Sequence, residues 1–189
     1  MEVFMNTDQI EKKVFEEIIN GKFDEKMFMK YLAFLLAIRD MYQSFHWGTS
    51  GRDFYEDHLL FEKLYNNLSE EADKVAEKFV GMCSPNVVCP VDLSAQRCVV
   101  YENIMDDLNI SSGGNSLILR ALYAESCFLN VSETLYDKLE ESKTLTLGMD
   151  DLLTSIYSDH EDNMYFLKQK VILERVPKEE GVGISEDES

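Results

Sequence analysis

Five side chains between His46 and Phe79 are of types that bind transition metals: His46, His58, Glu62, Asp73 and Glu77. Read as a helix from about Asp53 to Phe79, at 100° per residue, with His58 set to zero, Glu62 falls at about 40°, Asp73 at about 60° and Glu77 at about 100°. Phe54, Phe61, Leu64, Leu68, Ala72, Val75 and Phe79 fall together between about 240° and 320°. The helix therefore has an apolar stripe for a core and, well apart from it, a stripe of potential ligands.

His58 and Glu62 are i, i+4 neighbours, as are Asp73 and Glu77, so each pair can converge on one point. The pairs are 15 residues apart, roughly 22 Å along a helix axis at 1.5 Å per residue. One chain cannot close a single site from both. Two antiparallel copies of the helix, related by a two-fold axis, can, and the operation yields two equivalent sites. His46 lies 12 residues before His58, with Gly48 and Gly51 between them, and can fold back from a preceding helix to complete the set. Two imidazoles with three carboxylates suit iron, manganese or zinc better than calcium, which takes oxygen ligands. Their use requires neutral imidazoles and ionised carboxylates, so metal uptake is expected to fail at acid pH.

The pattern His46-Trp47, then His58, Glu62 and Asp73-Lys74-Val75-Ala76-Glu77 resembles that of the Dps-like miniferritins, the dodecameric branch of the ferritin superfamily. Every spacing agrees, and a weaker resemblance extends from about Asp24 to Val171. It implies an all-α, ferritin-like four-helix bundle with a short crossover helix between the second and third main helices. It also implies a ferroxidase centre built between two-fold-related subunits from those five positions, holding one or two iron ions (Fe2+/Fe3+). The expected reaction is oxidation of Fe(II) by hydrogen peroxide or oxygen, with ferric mineral stored in a hollow homo-oligomeric shell, a dodecamer. The chain departs from the family in three places: the third ligand, usually Asp, is Glu62; the Arg that commonly follows the last Glu is Lys78; and a Trp of the last helix is replaced by Tyr165-Phe166.

The elements that must position these residues are legible as helices. Among 189 residues Gly and Pro number nine and three, which favours helices over a turn-rich β fold. Residues 1–23 form an N-terminal extension with a short amphipathic helix over 7–20. Residues 24–175 form the bundle, with helices from Asp24 to about Trp47, Asp53 to Phe79, Asn115 to Ser142 and Met149 to about Leu173, and a short helix over 93–107. The second helix is expected to stop near Gly81. Ser111-Ser112-Gly113-Gly114 breaks the chain before the third long helix, and the acidic tail over 176–189 is expected to be disordered. Phe54 in the second helix and Phe166 in the last are expected to face the core.

The formal charge is −18, from 36 acidic against 18 basic residues. DNA binding is disfavoured, because it needs a basic footprint, and a shell of such subunits would attract cations. No apolar run reaches a membrane span, the N-terminus has no secretory h-region, and the chain reads as cytoplasmic. Cys83, Cys89, Cys98 and Cys127 form no CxxC pair; buried free thiols are favoured over a zinc site through the first three. His160, within SDHED, reads as a surface residue. Trp47 and Tyr55 suit either electron donation beside the site or packing in a core or interface. No carboxylate stands three residues before any of the three histidines, which disfavours an intrasubunit di-iron bundle built on Glu-x-x-His pairs. The rival functional reading is a Dps-fold shell with a structural or binding role and no ferroxidase activity.

Overall fold

In the computed structural model, which describes residues 25–106 and 116–175, the long elements are five helices: α1 (Glu25–Gly48), α2 (Phe54–Met82), α3 (Pro90–Asp106), α4 (Ser116–Glu141) and α5 (Leu147–Arg175), with a 3-10 turn at Pro85–Val88. The expected helix over 7–20, the break at Ser111–Gly114 and the acidic tail lie outside the described residues.

Ring contacts give the directions of the main helices. Phe28 and Tyr31 meet Phe79, while Phe45 meets Phe61, so α1 and α2 are antiparallel. Tyr42 reaches Ala121 and Glu125, and Tyr31 meets Phe128, so α4 also runs against α1. Glu133 pairs with Tyr157, and Lys170 with Glu56, which makes α5 antiparallel to both α4 and α2. Around the bundle the order is therefore α1, α2, α5, α4, with α2 and α4 diagonal and parallel. A parallel pair cannot be joined by a tight turn; the chain must travel back along the bundle, and the 3-10 turn and α3 make that return.

The crossover helix is fixed against α1 by both apolar and polar contacts. Leu93, Val100 and Ile104 are buried. Asp40 of α1 accepts from Arg97 (2.8 Å) and from the Tyr101 hydroxyl (2.8 Å). Between α2, α3 and α4, α1 is buried on more than one face, and Ala33, Phe34, Ala37 and Ile38 are all inaccessible. Each aromatic ring so enclosed contributes about 1.5–3 kcal/mol of burial free energy.

The second helix ends at Met82, next to the expected stop near Gly81. Other sequence expectations are corrected. The crossover helix begins at Pro90 rather than 93, because the missing N–H and fixed φ of proline suit the first helical position. Phe54 and Phe166 are exposed, not core; Phe54 is the first residue of α2, and Phe166 stands beside the buried Leu167 with Lys63 of α2 over its ring. His160 is fully buried rather than on the surface.

Candidate metal centre

The link from α1 to α2 turns at Gly51, whose φ of +90° lies in the region that favours glycine. The turn brings His46, in the last turn of α1, against His58, in the second turn of α2. The imidazoles stack with ring centroids 3.6 Å apart and planes 24° from parallel. His46 Nδ1 lies 2.9 Å from the His58 carbonyl oxygen, and His58 Nδ1 lies 3.0 Å from the His46 carbonyl oxygen. A carbonyl only accepts, so each Nδ1 must carry the proton and donate it. In a neutral ring this is the Nδ1–H tautomer, whose Nε2 lone pair can take a metal, an arrangement common among metal-binding histidines. The His46 carbonyl is one of the orphan acceptors at a helix C-terminus; the Thr49 hydroxyl, 2.9 Å away, also donates to it.

Tyr65 meets the His46 ring edge-on at 5.4 Å, and Phe54 covers the other face of His58 at 5.2 Å. Glu62, one turn beyond His58, is half-buried, whereas Asp73 and Glu77 are exposed. Because α2 is continuous through both pairs, the carboxylates of Asp73 and Glu77 stand about 22 Å along the axis from the histidines. The structure thus brings His46 and His58 together and sets Asp73 and Glu77 apart from them. Among the described residues, no three His, Cys, Asp or Glu side chains come together to hold a metal within one chain. Trp47 (71 % exposed) and Tyr55 (69 %) lie at the same end of the bundle as the histidines, outside the core. Lys170 of α5 closes this end from the other side, 3.0 Å from Glu56 and 3.1 Å from Asp57.

Of the cysteines, only Cys127 is buried; Cys83 and Cys89 are half-buried, Cys98 is exposed, and all four are free thiols.

Sequence reasoning missed a second polar cluster, in the bundle interior. His160 Nε2 lies 3.1 Å from Glu71, and its Nδ1 bonds to Glu125. The other Glu125 oxygen accepts from the Tyr42 hydroxyl at 2.5 Å. The four residues come one from each main helix, and all are buried. With a carboxylate at each nitrogen, the ring donates twice and is an imidazolium. Burial pulls its pKa down, but the Glu125 charge and the hydrogen bonds to Glu125 and Glu71 outweigh that and raise it to about 10. Burial, followed by the charge of Glu125, pushes the Tyr42 phenol well above its ordinary range.

No protein-family model and no curated protein matches the sequence. Solved structures do match. Dps from Thermosynechococcus elongatus is 19% identical, covering 85% of this chain and 94% of that one, with a TM-score of 0.58. Dps from Mycobacterium smegmatis is 16% identical over 90% of this chain and 92% of that one, with a TM-score of 0.62. DpsC from Streptomyces coelicolor is 21% identical over 90% of each chain, with a TM-score of 0.59. The chain has the ferritin-like fold of the Dps miniferritins.

Proposed function

We propose that this protein oxidises Fe(II) with hydrogen peroxide or oxygen at sites shared between two copies of the chain, and stores the ferric product inside a closed shell. The observation that carries the reading is the reciprocal bonding of His46 and His58, which engages both Nδ1 atoms and leaves two Nε2 atoms side by side at one end of the bundle. Imidazole nitrogen with carboxylate oxygen is a donor set that suits iron. Glu62 completes the half-site on its own chain, and Asp73 and Glu77 of a two-fold-related copy supply the other half. The exposed Trp47, Tyr55 and Leu59 beside the histidines are surface that a second copy would cover.

The same geometry supports an oligomer. An isologous contact places each half-site opposite the other's complement, and a twelve-subunit shell is the assembly that the fold suggests. The excess of acidic residues favours accumulation of cations and disfavours DNA. Among the described residues, no helix is long and apolar enough to cross a membrane.

The deciding experiment is anaerobic Fe(II) loading followed by peroxide. The paired substitution Asp73→Ala with Glu77→Ala is expected to abolish rapid Fe(II) oxidation while circular dichroism stays that of the parent, since both residues are exposed. Unchanged oxidation in that variant would remove the proposed centre. Native mass measurement and iron content after growth in iron-rich medium distinguish a storing shell from one with a purely structural role.

A further inference from the structure

The interior cluster is not used by the reaction as described so far, and its chemistry is that of a redox-active phenol held against a base. We propose that Tyr42 is a one-electron donor to the iron centre and that Glu125 takes its proton. The inference rests on the ferroxidase reading and extends it to a residue outside the ligand set.

Position comes first. Tyr42 lies on α1 one turn before His46, about 6 Å along the axis. Its ring stands 6.2 Å from Phe45 and 6.0 Å from Phe61, and those two rings are 5.5 Å apart. Phe45 precedes His46 and Phe61 precedes Glu62, so packed aromatic rings fill the space between the phenol and the half-site.

The electron count supplies the need. Hydrogen peroxide takes two electrons, and one Fe(II) gives one. A site holding a single Fe(II) therefore lacks an electron for a clean reduction. With Tyr42, Fe(II), phenol, Glu125 carboxylate and hydrogen peroxide yield Fe(III), a neutral phenoxyl, protonated Glu125 and two hydroxide ions. The O–O bond breaks, iron and the phenol each lose one electron, and the phenolic proton moves along the existing hydrogen bond. Charge and atoms balance.

Electrostatics favours this phenol over the other tyrosines whose hydroxyls are hydrogen-bonded. Two ionised carboxylates and one imidazolium give the buried cluster a net charge of −1. Loss of an electron with the proton kept on Glu125 leaves it neutral, so oxidation relieves buried charge rather than creating it. Tyr101, Tyr136 and Tyr157 also donate to carboxylates, but none of those three is buried. The buried hydroxyl of Tyr31 faces Ser132 at 3.5 Å, a poorer proton acceptor than a carboxylate.

The test is rapid-freeze electron paramagnetic resonance on protein loaded with one Fe(II) per site and mixed with peroxide, alongside spin-trapping of hydroxyl radical. The parent is expected to give a tyrosyl radical. Tyr42→Phe, which keeps the packed ring, is expected to lower that signal at least tenfold and to raise trapped hydroxyl radical severalfold. A radical that persists in Tyr42→Phe, or no radical in a parent that oxidises iron, overturns this inference alone. Failure of the parent to oxidise Fe(II) at all overturns the ferroxidase reading and this inference together. Glu125→Gln should slow radical formation; an unchanged rate in it removes Glu125 as the proton acceptor.

Discussion

His46 and His58 hold each other: each ring donates its Nδ1 proton to the other residue's backbone carbonyl, 2.9 and 3.0 Å away. Removing either ring deletes one donor and the stacking partner of the other ring, whose own Nδ1–H keeps its backbone acceptor.

His46→Ala is therefore expected to act through the loss of the His46 donor itself. Losing only an outer hydrogen bond to a metal-binding histidine costs about 10–100-fold in metal affinity, and losing a ligand costs no less. We expect His46→Ala to weaken Fe(II) binding by at least that factor, read by anaerobic titration. His46 is half-buried at a helix end, so thermal stability should change little. A Fe(II) affinity within twofold of the parent would show that His46 does not serve the site.

His160 carries the opposite expectation, a large effect on stability. Its ring is inaccessible and neutralises carboxylates on two other helices. Breaking a buried ion pair by removing one partner costs about 3–5 kcal/mol, because the remaining charge is left unpaired. His160→Leu should therefore lower the melting temperature by about 6–20 °C, at about 2–4 °C per kcal/mol for a chain of this size. Adding Glu71→Leu and Glu125→Leu should recover much of the loss, since a well-packed apolar replacement of a buried ionic cluster is often neutral or better. Calorimetry of the single and triple variants checks both statements.

The same histidine sets a pH dependence at the alkaline end. Its pKa rises from 6.5 to about 10 on folding, so the native state holds the proton more tightly than the unfolded chain. The stabilisation is complete below the unfolded value and is lost as pH climbs toward about 10. The groups facing the ring are Glu71 and Glu125, with Tyr42 behind Glu125; Tyr42, held above its ordinary range, does not ionise across this window. Urea midpoints from about pH 6 to pH 10 should fall in the parent and stay flatter in the triple leucine variant. A parallel decline in both would assign the effect to other groups.

What the sequence disclosed and what it hid follow from one property of periodicity. The main helices and the polar stripe of α2 were legible because 100° steps separate apolar from polar residues on a single helix. His160 was read as a surface residue from its acidic neighbours, yet Leu153, Ile156, His160, Asn163 and Leu167 follow alternating steps of three and four, the register of a buried line, and all five are buried. Glu71 likewise falls at about 220° on the α2 wheel, at the border of the apolar arc. The register shows that each points inward. It carries no information about which residues of different helices share a level, so the meeting of Tyr42, Glu71, Glu125 and His160 emerges only in three dimensions. Phe54 and Phe166 failed in the reverse sense: Phe54 lies in core register but is the first residue of its helix, and Phe166 stands one residue off the buried line, against Lys63 of α2.

Asp40 provides a last test, of the crossover. Its carboxylate takes hydrogen bonds from Arg97 and Tyr101 of α3 and also from the adjacent Arg39. All four side chains are partly accessible to water, so groups released by Asp40→Ala can rehydrate. The global loss should be about 1–2 kcal/mol, the range of a few part-exposed charged hydrogen bonds. Leu93, Val100 and Ile104 still hold α3 to the bundle, so the helix should remain docked. Its opening should become easier than that of the core, because its polar contacts to α1 are the ones removed. Amide hydrogen exchange should therefore accelerate about tenfold in α3, while α1 and α4 slow-exchange protection follows only the global change. Equal acceleration in all helices would mean that the crossover is not held locally and that Asp40 acts on the whole bundle.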